Sequence, residues 1–96
     1  MVFVTADNNS DRLRQLSYLI CKVYPGSIIY EFTDPMLSAK YVCNNHVDVV
    51  LAEENMRPVD GETFRKVLIT YKPDLPVILL PENIDDCRGQ TVFQAM

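Results

Sequence analysis

The amino-acid sequence predicts an α/β protein with three layers, α/β/α, around a parallel sheet. Two observations lead there. Short apolar runs alternate with amphipathic stretches in the order βαβαβαβ, and such alternation implies right-handed crossovers and parallel strands. Two of the runs, Val47 to Ala52 and Leu75 to Leu80, are apolar on nearly every side-chain position, as expected of strands covered by helices above and below.

Met1 to Thr5 makes the first strand, and Ala6-Asp7-Asn8-Asn9 the polar turn after it. Ser10 or Asp11 is the expected cap of the first helix. Leu13, Leu16, Ile20 and Val23 recur at spacings of three and four, with Leu19 widening the stripe. Arg12, Arg14, Gln15 and Lys22 fall largely on the opposite side. Pro25-Gly26 ends this helix. Ser27 to Phe32 is rich in β-branched and aromatic residues and reads as the second strand. Asp34 caps the second helix, with Pro35 at its first position; Asn44-Asn45 stops it. The Val47 run is the third strand. Asp60-Gly61 opens a third helix whose Phe64, Val67, Leu68 and Tyr71 keep the three-and-four spacing, and Pro73 stops it. Leu75 to Leu80 is the fourth strand. A tail follows, with a weak helical signal from about Asp85 that Gly89 interrupts.

A chain of 96 residues, 48% hydrophobic, makes one small domain over residues 1–96. Nine basic residues stand against 13 acidic ones, a net charge of -4, and the basic residues form no stripe. Nucleic-acid binding by this chain alone is not expected. No segment approaches the roughly 20 apolar residues of a membrane span. The start, MVFVTADNN, lacks the basic residues and long apolar core of a secretory signal. The three cysteines, Cys21, Cys43 and Cys87, are odd in number and have no metal-ligand spacing. A cytoplasmic protein with reduced thiols is the expectation, with Cys21 and Cys43 packing as small hydrophobes. His46, the sole histidine, lies in a turn and reads as a surface residue.

The chemistry-bearing segment is Val47 to Phe64. An apolar strand ends at Glu53-Glu54-Asn55, and Met56 and Asp60-Gly61 follow. Carboxylates at the carboxyl end of a parallel strand lie where open α/β sheets place functional sites. This segment resembles the middle of response-regulator receiver domains, the CheY-like family of two-component phosphorelay signalling. Asp7 after the first strand, Ala39 on the second helix, Asp48 at the third strand and Lys72 to Ile78 before the fourth extend the likeness over some 80 residues. The resemblance implies a flavodoxin-like fold with strand order 2-1-3-4 and a fifth strand to follow.

A working receiver needs two acidic residues for Mg²⁺, an aspartate that attacks phosphorus, a Thr or Ser, and a lysine that pairs with the phosphoryl charge. Charge balance is the reason: a phosphoryl dianion beside carboxylates needs cations around it. Mapped onto this chain, the acidic pair becomes Ala6 and Asp7, with Glu54 beside the pocket. The acceptor position is Glu53, one methylene too long. A shift of roughly 1.5 Å exceeds the ~1 Å that already costs on the order of 100-fold in rate. The Thr/Ser position is Pro81, and no lysine follows Lys72. The resemblance therefore implies a degenerate, non-enzymatic pseudo-receiver without a cofactor, acting through a protein partner: a sensor kinase, an effector domain or a second copy.

Several alternatives stay open. A phosphoacceptor receiver would switch by Mg-dependent phosphotransfer from a histidine kinase. A flavin or nucleotide binder is disfavoured because the loop after the first strand has no glycine to admit a phosphate. Glu53 is either a mimic of the phosphorylated state or an inert carboxylate. Asp7 and Glu53, with a backbone carbonyl near Asn55, make either a weak Mg²⁺ or Ca²⁺ site or a polar loop rim; without a cation, Asp7, Glu53 and Glu54 would repel one another. The family's fifth strand and helix have no counterpart in this pattern, which leaves the fourth strand an apolar edge. Thr91-Val92-Phe93 is one cover for it. A homodimer through that edge or an exchanged tail is the other, with Tyr71 and Phe93 as candidate anchors. A third alternative, by analogy with the family, is a truncated piece of a longer regulator.

Overall fold

The computed structural model describes residues 1–81. It contains β1 (Val2–Ala6), α1 (Ser10–Val23), β2 (Ile28–Phe32), α2 (Pro35–Asn44), β3 (Val49–Glu53), α3 (Gly61–Tyr71) and β4 (Val77–Leu80). All pairings are parallel, and the strand order is β2-β1-β3-β4. This is the expected order. The tail features, including Cys87, Thr91-Val92-Phe93 and the helical signal near Asp85, lie outside the described residues.

Side-chain alternation splits the sheet into two cores. Val4, Ala6, Val50 and Ala52 pack with Val42 of α2 and with Phe64 and Leu68 of α3. Phe3, Val49, Leu51 and Leu80 pack with Leu16 and Ile20 of α1. The chain therefore has α1 on one face and α2 with α3 on the other. Fully burying a side chain such as Ile20 or Leu51 contributes about 1.5–3 kcal/mol, and both are 0% exposed. β1 and β3, the central strands, are buried almost throughout, whereas most of β2 is exposed. Tyr41 of α2 covers part of that edge, its ring 4.8 Å from Tyr30 and 5.7 Å from Phe32. The Tyr30 hydrogen bond pushes the Tyr41 phenol above its ordinary value.

Several boundaries and faces differ from expectation. Asn9, not Ser10 or Asp11, caps α1: its side chain accepts the N–H groups of Asp11 at 2.9 Å and Arg12 at 3.2 Å. Tyr71 and Val67 keep the helical spacing, yet Tyr71 is 70% exposed, because the sheet meets α3 along Gly61, Phe64 and Leu68. Cys21 is exposed rather than packed; Cys43 is half-buried against the core.

Two polar devices fix the strands against the loops. The Asp48 backbone N–H donates to Val2 O, and its carboxylate accepts the Val2 N–H at 2.7 Å. That bond, aided by His46 at 3.1 Å, holds the Asp48 carboxyl below its ordinary value. At the other end, α3 begins in contact with the end of β3. The Gly61 N–H donates to Glu54 O at 2.9 Å. A Cβ on Gly61 would lie 2.7 Å from Glu54 Cα and 2.8 Å from Glu53 O. Both obstacles are backbone, so neither can swing aside.

Gly61→Ala is therefore expected to destabilise the domain by about 1–3 kcal/mol, the range for forced overpacking, measured as a lower denaturation midpoint. Asp48 has its pKa lowered on folding, so its contribution is present above the ordinary aspartate value and disappears as pH falls through the lower folded value. Denaturation midpoints of the wild type and Asp48→Asn should accordingly differ at pH 7 and converge below about pH 4.

Candidate functional site

The register places Ala6 of β1 opposite Ala52 of β3. One step on, Asp7 and Glu53 leave the carboxyl ends of these adjacent strands together. Both are buried, 5% and 3% exposed. Each carboxylate organises the loop that follows it. Asp7 Oδ1 accepts the Asn9 N–H at 2.8 Å, and Glu53 Oε2 accepts the Asn55 N–H at 2.8 Å.

Arg12 supplies the positive charge beside Asp7. Its Nε donates to Oδ2 at 2.9 Å and its Nη2 to Oδ1 at 3.1 Å, the side-on fork in which charge-assisted bonds are strong. The expectation that Arg12 faces largely to solvent is corrected: its side chain is 28% exposed. Capping by Asn9 puts Arg12 in the first turn, where a cation opposes the helix dipole. Asp7 compensates for that placement.

Asn8 joins three loops. Its Oδ1 accepts the Arg57 N–H at 2.6 Å, and its Nδ2 donates to Arg57 O at 2.8 Å and Thr33 O at 3.0 Å. One side chain thus ties together the segments after β1, β2 and β3. The Arg57–Pro58 peptide bond within the third of these is cis. Sequence reasoning missed both Arg12 and Asn8. The available signal was proximity in sequence to Asp7: Asn8 lies in the same polar turn, and Arg12 falls in the first turn of the helix that follows it.

The other expected site residues are divided by the fold. Ala6 packs its methyl group in the α2–α3 core and is no part of the pocket. Glu54 is exposed rather than part of the acidic pocket, and Asn55 is exposed too. Met56 is buried, 3% exposed, and anchors the loop. Pro81 is half-buried, directly after β4, and the Glu54 N–H donates to the adjacent Leu80 O at 3.0 Å. Among the described residues, no three His, Cys, Asp or Glu side chains converge on a point that could hold a metal. No helix among them is long and apolar enough to cross a membrane.

No protein-family model and no curated protein matches the chain. Solved structures do match. An uncharacterized protein from Neptuniibacter caesariensis superposes with TM-score 0.83 at 19% identity, covering 98% of this chain and 84% of that one. The receiver domain of the hybrid histidine kinase CckA gives TM-score 0.78 at 19% identity, with 98% and 97% covered. The receiver domain of a sensor histidine kinase from Pseudomonas aeruginosa, with magnesium coordinated in its active site cleft, gives 0.79 at 9% identity, with 98% and 94% covered. The chain has the receiver fold. Within that CheY-like, flavodoxin-like architecture, Asp7 and Glu53 occupy the strand ends where open α/β sheets carry their sites.

Asn8→Ala removes three hydrogen bonds from the loop rim. The expected cost is about 1–3 kcal/mol, with net values near 1 kcal/mol per bond and solvent able to replace part of them. Hydrogen exchange at the Arg57 amide should accelerate while exchange in β1 and β3 changes little.

Proposed function

We propose that this chain is a non-catalytic receiver module of two-component-type signalling, acting by protein–protein contact and independently of aspartyl phosphorylation. The observation that carries this reading is the Asp7–Arg12 fork beside Glu53. Both Asp7 oxygens already accept bonds from Arg12. A phosphoryl group arriving at Glu53 would meet a buried carboxylate nucleophile that is one methylene too long and whose Oε2 is engaged by the Asn55 amide. Across the loop rim stands Pro81, which has neither a hydroxyl nor an amide hydrogen to donate to a phosphoryl oxygen. Ala6 supplies no second acidic group.

The residues around the pocket have roles in holding shape. Asp7 and Glu53 order the loops after β1 and β3, Arg12 balances the charge, and Asn8 links the rim. The result is a preset surface at the carboxyl ends of the strands, with Glu54, Asn55 and Arg57 exposed on it. Rigid, preset surfaces lose less freedom on association. The partner classes that suit this reading are a sensor kinase, an effector domain or a second copy, including a homodimer joined at β4, in the cytoplasm. Binding of Mg²⁺ is weak or absent under the same reading.

The test is incubation of the folded protein with phosphoramidate and Mg²⁺, followed by intact mass measurement. The mass should not change. A phosphoryl adduct on Glu53 or a neighbouring residue would overturn the proposal and establish phosphoacceptor chemistry instead.

A further inference from the structure

The receiver fold raises the question of a divalent cation at the strand ends, and the residues present do not fit one. Asp7 is the acidic residue best placed for it. A carboxylate has about four lone-pair positions. Three of those on Asp7 are taken: Oδ1 accepts from Asn9 and Arg12, and Oδ2 accepts from Arg12. The neighbouring position, Ala6, contributes only a methyl group to the core. The side-chain oxygen of Asn8 accepts the Arg57 N–H. A hard cation needs several oxygens turned toward one point, and here those of Asp7 and Asn8 are already engaged by protein donors.

We propose that Arg12 is a resident counter-ion standing in for the divalent cation, and that the pocket is a masked cation site. This deepens the non-catalytic reading given above and rests on it. The electrostatic requirement is explicit. Neighbouring strands lie about 4.8 Å apart, so the buried carboxylates at the ends of β1 and β3 repel unless a positive charge joins them. Arg12 provides that charge from the chain itself. A guanidinium stays protonated at any pH the fold survives. The compensation is therefore permanent, whereas a bound metal depends on supply. Arg12 also sits in the first turn of α1 against the helix dipole, a position that the Asp7 fork explains and that surface solvation does not.

The experiment compares the wild type, Arg12→Gln and Arg12→Lys by thermal denaturation across a Mn²⁺ series. Paramagnetic broadening of the Asp7, Asn8 and Glu53 amide resonances is read in parallel. Wild-type Tm should be independent of Mn²⁺, with those resonances no broader than average. Arg12→Gln should start at lower Tm and regain it as Mn²⁺ rises, the signature of a ligand bound only to the folded state. Arg12→Lys, which keeps the charge, should respond less than Arg12→Gln. Arg12→Gln that folds only when Mn²⁺ is present also supports the proposal. Selective broadening and a rising Tm in the wild type would overturn it. So would Arg12→Gln that shows no Mn²⁺ response, folded or not. A wild type that binds Mn²⁺ yet takes no phosphoryl group would refute the counter-ion while leaving the non-catalytic module intact.

Discussion

Two carboxylates at the ends of adjacent buried strands must be neutralised within the protein. β1 and β3 are central because their side chains are apolar on both faces. The chain leaving them begins under cover, so Asp7 and Glu53 start life away from bulk water. An unpaired charge there would oppose folding by several kcal/mol. The local architecture answers that demand. Asn9 caps α1 early enough to bring Arg12 over Asp7, and each carboxylate also takes a backbone amide two residues on. The helix start, the loop shapes and the pocket's charge are one solution to one problem.

The elements themselves were legible in the sequence because each depends on a pattern local to it. Val49 to Ala52 had to be a covered strand, and Pro35 after Asp34 could only begin a helix. What was illegible depends on several segments at once. Arg12 falls on the solvent side of an isolated helical wheel, but at a helix end its side chain reaches across the strand ends. Asn8 reads as a generic turn residue until Thr33 and Arg57 are brought beside it. Glu54 was expected beside the pocket that Glu53 occupies, yet the chain turns directly after Glu53 and leaves Glu54 exposed. Tyr71 and Val67 kept the right period on a helix whose buried stripe was narrower than the period allowed. In each case tertiary placement, not propensity, decided the outcome.

The two edges of the described sheet are built differently. β4 has a buried end and partly covered side chains along the rest of it. β2 is mostly exposed and relies on β1 for its ladder and on Tyr41 for much of its apolar cover. Aromatic contacts of that geometry contribute about 0.5–1.5 kcal/mol beyond area, enough to matter for a five-residue strand. The groove beside them, about 550 Å³, is lined by Phe32, Leu37, Lys40 and Tyr41 among others.

The loop between β3 and α3 is held mainly through its main chain. Gly61 fits against Glu54 Cα, the Gly61 and Glu54 amides each bond to a carbonyl, and Asn8 grips the amide and carbonyl of Arg57. The side chains of Glu54, Asn55 and Arg57 carry little of that work and are exposed. Such a loop separates shape from identity. Its outer residues can be exchanged during evolution without loosening the rim, so the charge and shape of the exposed surface can change on an unchanged frame.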